Sequence, residues 1–247
     1  MDNRDFESVE QMNEVMLEKW NKKVHARDEV VILGDLSLGN GKETNEILCR
    51  LKGRLYLIRG NHDERYLRDK DFDVSRFEWV RDYAEIHDNK RKIVLMHYPV
   101  FCYNGQFRRG ADGTPLTYML HGHIHKSEDQ VLVDRFSTET RAMMRKSAHQ
   151  ETAQPVPCQM INCFCMYSDY TPLTLEEWVE CDQRRRTPKK GSTEMLQALE
   201  MFSDDFMSGR NLDSAKIRKA AEAMKSKAED IARGKRNYMT YEEVFGQ

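Results

Sequence analysis

The chain has 247 residues, 39 basic against 41 acidic, and a formal net charge of −2, so no global basic field demands nucleic acid as a partner. No apolar run approaches the roughly 20 residues that span a bilayer, and Met1 is followed by Asp-Asn-Arg-Asp rather than an apolar leader, which points to a cytoplasmic protein with no membrane partner. Six cysteines at irregular spacing fit free thiols in a reducing compartment better than a disulfide framework.

Ser8 with Gln11 three residues on makes a capping-box start, and Val9, Met12, Met16 and Trp20 then recur at helical spacing, predicting an amphipathic helix. A strand over 30–33 ends at Gly34-Asp35. A helix over 43–51 follows, stopped by Gly53, and a strand over 55–58 runs into Gly60-Asn61-His62-Asp63. This β-α-β order implies parallel pairing. The charged, aromatic segment 65–85 reads as a short helix plus a strand. A strand over 93–96 leads to His97, within Met96-His97-Tyr98-Pro99.

Residues 101–115, rich in Gly, Arg and aromatic side chains, read as a loop near that strand end, with Arg108 and Arg109 solvated. A strand over 116–120 then enters Gly122-His123-Ile124-His125. Beyond it the pattern predicts a strand over 131–136, a polar helical stretch over 139–150 and an apolar run over 159–166. Alternation along that run would put Cys163 and Cys165 on one face as core thiols. Thr174 to Glu177 is a second capping box. The basic stretch 184–190, broken by Pro188, marks a boundary between a main domain, 1–187, and a helical extension, 188–247. Helices over 195–206 and 215–231 of that extension could pack on the core, on a second copy or on a partner.

Four polar segments thus follow apolar strands, where α/β sheets place ligands. Each alone is weak: Gly-Asp is a common turn, and a lone His97 would ordinarily be a satisfied core histidine. Their order and spacing resemble the calcineurin-like metallophosphoesterase superfamily. The closing strand, Tyr170-Thr171-Pro172 and the Thr174 helix also resemble its bacterial and phage branch. A small residue usually follows the strand's asparagine there, whereas Cys163 and Phe164 follow Asn162 here.

The resemblance implies an α/β fold, a β-sandwich flanked by helices, and a phosphoesterase, in particular a phosphodiesterase. It would work through divalent ions (manganese, iron, nickel or zinc), two in the intact family, with a metal-bound hydroxide as nucleophile. It gives Asp35 the bridging position, Asn61, His97 and His123 to one ion, and His125 to the other. His62 would lie over the cleft to orient the phosphate or protonate the leaving oxygen, and Asp63 would fix the His62 tautomer. The substrate would be a phosphate ester, with nucleotides and nucleic acid among the classes allowed.

The family normally opens on a strand ending in Asp-x-His, and this chain carries no such motif; its first histidine is His25, in the polar stretch 21–29, and the segment before it reads as a helix. The expectation is therefore a sequence that starts after that strand, leaving one ion with Asp35 and His125 alone. The alternative is a catalytically impaired scaffold holding a single ion.

Overall fold

The computed structural model describes residues 4–146 and 152–187. The chain divides into two compact units, 1–182 and 183–247, and nearly all of the second lies outside the described residues, as do the helices expected over 195–206 and 215–231. Among the described residues no helix is long and apolar enough to cross a membrane.

Helix α1 (Val9–Lys23) precedes strand β1 (Glu29–Ile32), and α2 (Gly41–Arg50) carries the chain to β2 (Arg54–Ile58). α2 starts in a reciprocal capping box: the Glu43 N–H donates to Asn40 Oδ1 while Glu43 Oε2 accepts from the Asn40 N–H. The single turn α3 (Glu64–Leu67) and a 3-10 turn (Val74–Arg76) lead to β3 (Phe77–Arg81). The three strands form a parallel sheet in the order β1-β2-β3, with Val30 opposite Leu55, so the β-α-β expectation is met.

A second sheet has the order β4-β5-β6-β9, from β4 (Tyr83–Asp88), β5 (Arg91–Met96), β6 (Thr117–His121) and β9 (Gln159–Asn162). β4 and β5 form an antiparallel hairpin. Its turn residues Asn89 and Lys90 both have positive φ, 46° and 66°, the two-residue geometry whose twist matches flanking strands. β5, β6 and β9 run parallel. Helix α4 (Glu128–Ala142) connects β6 to a short pair, β7 (Met144–Arg145) with β8 (Gln154–Pro155), before β9, and α5 (Leu175–Arg186) follows it.

The two sheets pack face to face. Ile58, Val31 and Trp79 from the first meet Ala84, Ile93, Leu95, Tyr118, Leu120 and Ile161 from the second, and Leu175, Trp178 and Cys181 of α5 join the same core. On the outer face of the first sheet, Leu55, Leu57 and Phe77 are covered by Leu17 of α1, Leu48 of α2 and Tyr66 of α3. On the outer face of the second, Val94, Met119 and Met160 are covered by Tyr103, Ile124 and Val133 of α4. Strands β2, β5, β6 and β9 thus bury residues on both faces, and the architecture is a β-sandwich flanked by helices.

Three local expectations are corrected. The segment 131–136 is helical, inside α4; Gln130, Val133, Asp134, Ser137 and Thr140 are buried at successive steps of three, one, three and three residues, which puts them on one helix face, and Leu132 points outward at 57% exposure. A three-residue apolar run cannot by itself separate strand from helix, and the inward polar residues hid the period. In α1 the buried residue is Leu17, with Val9 exposed. Ser8 Oγ accepts from the Gln11 N–H as predicted, but Gln11 Oε1 takes the Glu7 N–H, one residue earlier than a capping box requires. β9 ends at Asn162, so Cys163 and Cys165 are free thiols beyond the strand and not two points on one strand face.

The helical reading of α4 makes a measurable distinction. Val133→Ala should lower the unfolding free energy by about 1–3 kcal/mol, and Leu132→Ala should stay within about 0.5 kcal/mol of the parent, in urea titrations followed by circular dichroism.

Candidate metal centre

The first two strands are each followed, two residues on, by a glycine because the loops beyond them nearly touch. Gly34 has φ 87°, and a Cβ there would lie 2.4 Å from His97 Nδ1 and 2.6 Å from the Gly60 nitrogen. A Cβ on Gly60 would lie 2.3 Å from Asp35 Oδ1. Neither position admits a side chain, so these glycines bring the backbones of the Gly34-Asp35 and Gly60-Asn61-His62-Asp63 loops together.

Asp63 then joins the two loops. Its carboxylate is fully buried, at 0% exposure, and accepts four hydrogen bonds. The Asp35 N–H (2.9 Å) and Gly60 N–H (2.7 Å) donate to Oδ2, and the Leu36 N–H (2.9 Å) and Tyr66 hydroxyl (2.9 Å) donate to Oδ1. The role implied for Asp63, holding the His62 imidazole, is therefore corrected: its lone pairs are spent on the backbone of both loops. Burial and the adjacent Asp63 carboxylate push the Tyr66 phenol far above its ordinary range, so it stays a donor.

Asp35 is half-buried, with φ 54°. Its Oδ1 accepts the His62 N–H at 2.8 Å, which leaves Oδ2 turned to His97 Nε2 at 3.3 Å. His97, at the end of β5 and 1% exposed, places Nδ1 2.7 Å from the Leu33 carbonyl oxygen. A carbonyl only accepts, so Nδ1 carries hydrogen and the Nε2 lone pair faces Asp35 Oδ2 and Asn61 Oδ1, the latter at 3.1 Å. Three acceptors converge on one point, and such a junction requires positive charge, either a proton on Nε2 or a cation.

The titration shifts follow from this. Burial pushes the Asp35 carboxyl up, but the bonds from His97 and the His62 N–H outweigh it and leave it below its ordinary value. Burial pushes His97 down, and the contacts with Asp35 and the Leu33 carbonyl outweigh that and raise it. His123 is lowered, by burial and then by the charge of His97. A metal ion at the junction would replace the His97 proton.

His123 completes the group. The ligand atoms of Asp35, His97 and His123 all lie within 4.8 Å of one another, with the two imidazoles 5.0 Å apart at their centroids. The turn that delivers His123 is strained: its φ is 65° and the Ile124 N–H closes on the Gly122 carbonyl at 2.8 Å. Gly122 donates its N–H to the His97 carbonyl, linking the ends of β5 and β6. Tyr98, 40% exposed, sets its ring 4.5 Å from that of His123.

The structure thus brings together Asp35, Asn61, His97 and His123. The donor set, one carboxylate, one amide oxygen and imidazoles with the tautomer fixed by a carbonyl, fits a divalent transition metal. His62 is exposed and meets the group through its backbone N–H. His125, φ 47°, lies outside the three-residue group and stacks its ring on Phe164 at 4.8 Å with 7° between the planes. His121 is buried with Nδ1 3.1 Å from the Gly122 oxygen and is not among these ligands. Sequence reading missed Asn162 and Phe164 as neighbours of His125; the only signal was the bulky pair after Asn162.

A model of the calcineurin-like phosphoesterase superfamily domain matches residues 13–137, half of the chain, and thus spans all four strand-end segments. The chain belongs to the calcineurin-like phosphoesterase superfamily. An uncharacterized protein of Methanocaldococcus jannaschii is 34% identical over 125 residues, which cover 50% of this superfamily member but only 58% of the relative. The protein of unknown function AQ665 from Aquifex aeolicus aligns over 70% of this chain and 86% of its own, with 20% identity and a TM-score of 0.43. A Vps29 variant from Entamoeba histolytica aligns over 63% and 71%, with 18% identity and a TM-score of 0.28.

The four donors on Asp63 make a direct prediction for this superfamily member. Asp63→Asn keeps the volume but turns an NH2 toward N–H and O–H donors, and should cost on the order of 3 kcal/mol of stability in denaturant titrations of the metal-free protein. Exposed His62→Ala should leave the same titration within about 0.5 kcal/mol.

Proposed function

We propose that this chain is a metal-dependent phosphodiesterase. The observation that carries the reading is the convergence of Asp35 Oδ2, Asn61 Oδ1 and His97 Nε2, with His123 beside them, on a point that requires positive charge, which a metal ion would supply. Membership of the phosphoesterase superfamily supplies the reaction class.

Asp35, Asn61, His97 and His123 would hold the ion, manganese being the first to try among manganese, iron, nickel and zinc. When bound, a divalent ion neutralises phosphate oxygens and activates a water at neutral pH. Asp35 keeps one oxygen on the His62 N–H, so its orientation does not depend on the ion. The same bond fixes the His62 backbone against the ligand carboxylate, and the exposed imidazole is free to donate a proton to the departing alkoxide oxygen. Buried His97 is held by the Leu33 carbonyl in the tautomer a metal needs. Nucleotides and nucleic-acid ends fall within the substrate class, and selection among esters belongs to the loops around the site.

A second reading, a scaffold with one ion and no turnover, is favoured by one observation: the compact group has three residues and His125 is not one of them. Hydrolysis of bis(p-nitrophenyl) phosphate with manganese separates the two. We expect turnover in the parent and none in Asp35→Ala. His62→Gln should lower kcat by about 10²–10⁴-fold with manganese affinity unchanged. A parent that binds one ion tightly and never turns over would establish the scaffold.

A further inference from the structure

Asn162 ends β9 directly beside His125, and its amide is 2% exposed. Its Nδ2 donates to the His125 carbonyl at 2.8 Å and to Gln130 Oε1 in the first turn of α4. Its Oδ1 accepts the Phe164 N–H at 3.1 Å. Phe164, 6% exposed, lays its ring flat on the His125 imidazole, and Tyr167 meets Phe164 edge-on at 5.6 Å. One buried side chain therefore controls both variables of His125: the amide nitrogen pins its left-handed backbone, and the amide oxygen pins the residue that fixes its ring plane.

Such a backbone costs a non-glycine residue about 1–3 kcal/mol, so it persists only where surrounding contacts overdetermine it. Packing alone does not require this arrangement. A buried amide desolvates four hydrogen-bonding positions, and here the Asn162 amide meets the His125 carbonyl, Gln130 Oε1 and the Phe164 N–H.

We propose that Asn162 and Phe164 are positioning residues that present His125 as a preset ligand for a divalent ion at this site. The inference rests on the metal-dependent reading given above. Asn162 acts on the backbone and Phe164 on the ring, and Gln130 ties the pair to α4, so α4 and β9 together set a side chain that neither carries. The device separates ligand from ligand: Asp35, His97 and His123 are fixed through the β1, β2, β5 and β6 loops, whereas His125 is fixed from β9.

The test is calorimetric titration of the full chain with manganese(II) alone, with thermal melting of each metal-free variant alongside. Asp35→Ala, His125→Ala, Asn162→Ala, Phe164→Leu and Phe164→Tyr are compared with the parent. We expect His125→Ala, Asn162→Ala and Phe164→Leu each to weaken manganese binding, or one of its two steps, by about 10–100-fold. Phe164→Tyr, which keeps the ring, should bind as the parent does. Melting temperature controls for folding, and Phe164→Leu carries the test if Asn162→Ala does not fold.

Parent-like binding by both Asn162→Ala and Phe164→Leu, with His125→Ala impaired, would overturn the proposal by reducing the pair to packing. Parent-like binding by His125→Ala would overturn it too, since nothing would be left to position. In either case loss of binding in Asp35→Ala keeps the metal reading standing, and unchanged binding in Asp35→Ala sinks that reading itself.

Discussion

The carboxylate of Asp63 carries no part of the proposed reaction, yet the rest of the site is arranged around it. Two loops that follow different strands must approach until no Cβ fits between them at Gly34 or Gly60. Their backbone N–H groups, pointing inward at the close approach, would otherwise be buried without acceptors. A single ionised side chain satisfies three of them and a tyrosine hydroxyl besides. Hydrogen bonds to a charged acceptor are about twice as strong as neutral ones, so a carboxylate suits this position and an amide does not. Placement of Asp35 and Asn61 side by side is the consequence, because one follows β1, the other follows β2, and Asp63 holds both loops in register.

Once those loops are fixed, the electrostatics follow. Asp35 and Asn61 aim oxygens at His97 Nε2, whose ring cannot turn away because the Leu33 carbonyl holds the other nitrogen. The arrangement is short of one positive charge. In the metal-free protein the contact between Asp35 and His97 raises His97 and lowers Asp35 despite burial that opposes both. A divalent ion would supply the missing charge, and the folded chain would have little to reorganise on binding.

Much of this was legible in the sequence, and the limits have physical causes. β1, β2, β5 and β6 were visible because each is a short apolar run ending in glycine or histidine, and burial on both faces of a sandwich makes such runs continuous. The four side chains that meet were visible as candidates because backbone at strand ends converges. What could not be read is how side chains share hydrogen bonds. Asp63 sits next to His62 in sequence, and its four partners come from a fold contact 28 residues distant as well as from its own loop. α4 was misread because the face it buries is largely polar, Gln130, Asp134, Ser137 and Thr140, so hydrophobic periodicity carried no signal where Val133 is the one apolar member.

The strain at the site has a distribution that bears on how it works. Asp35, His123 and His125 all hold left-handed backbones, with φ between 47° and 65°, although none is a glycine. Each is fixed by a different device: Asp35 by the Asp63 carboxylate, His123 by a turn closed on Gly122, and His125 by the Asn162 amide. A left-handed residue directs its side chain away from the line of the preceding strand, which lets side chains that follow β1 and β6 turn toward a common point instead of extending past one another. The cost of each is met by a separate set of contacts, so loosening one ligand should leave the others in place. That independence is what makes single-residue variants informative here, at His125 through the buried Asn162 amide as at Asp35 through the Asp63 carboxylate.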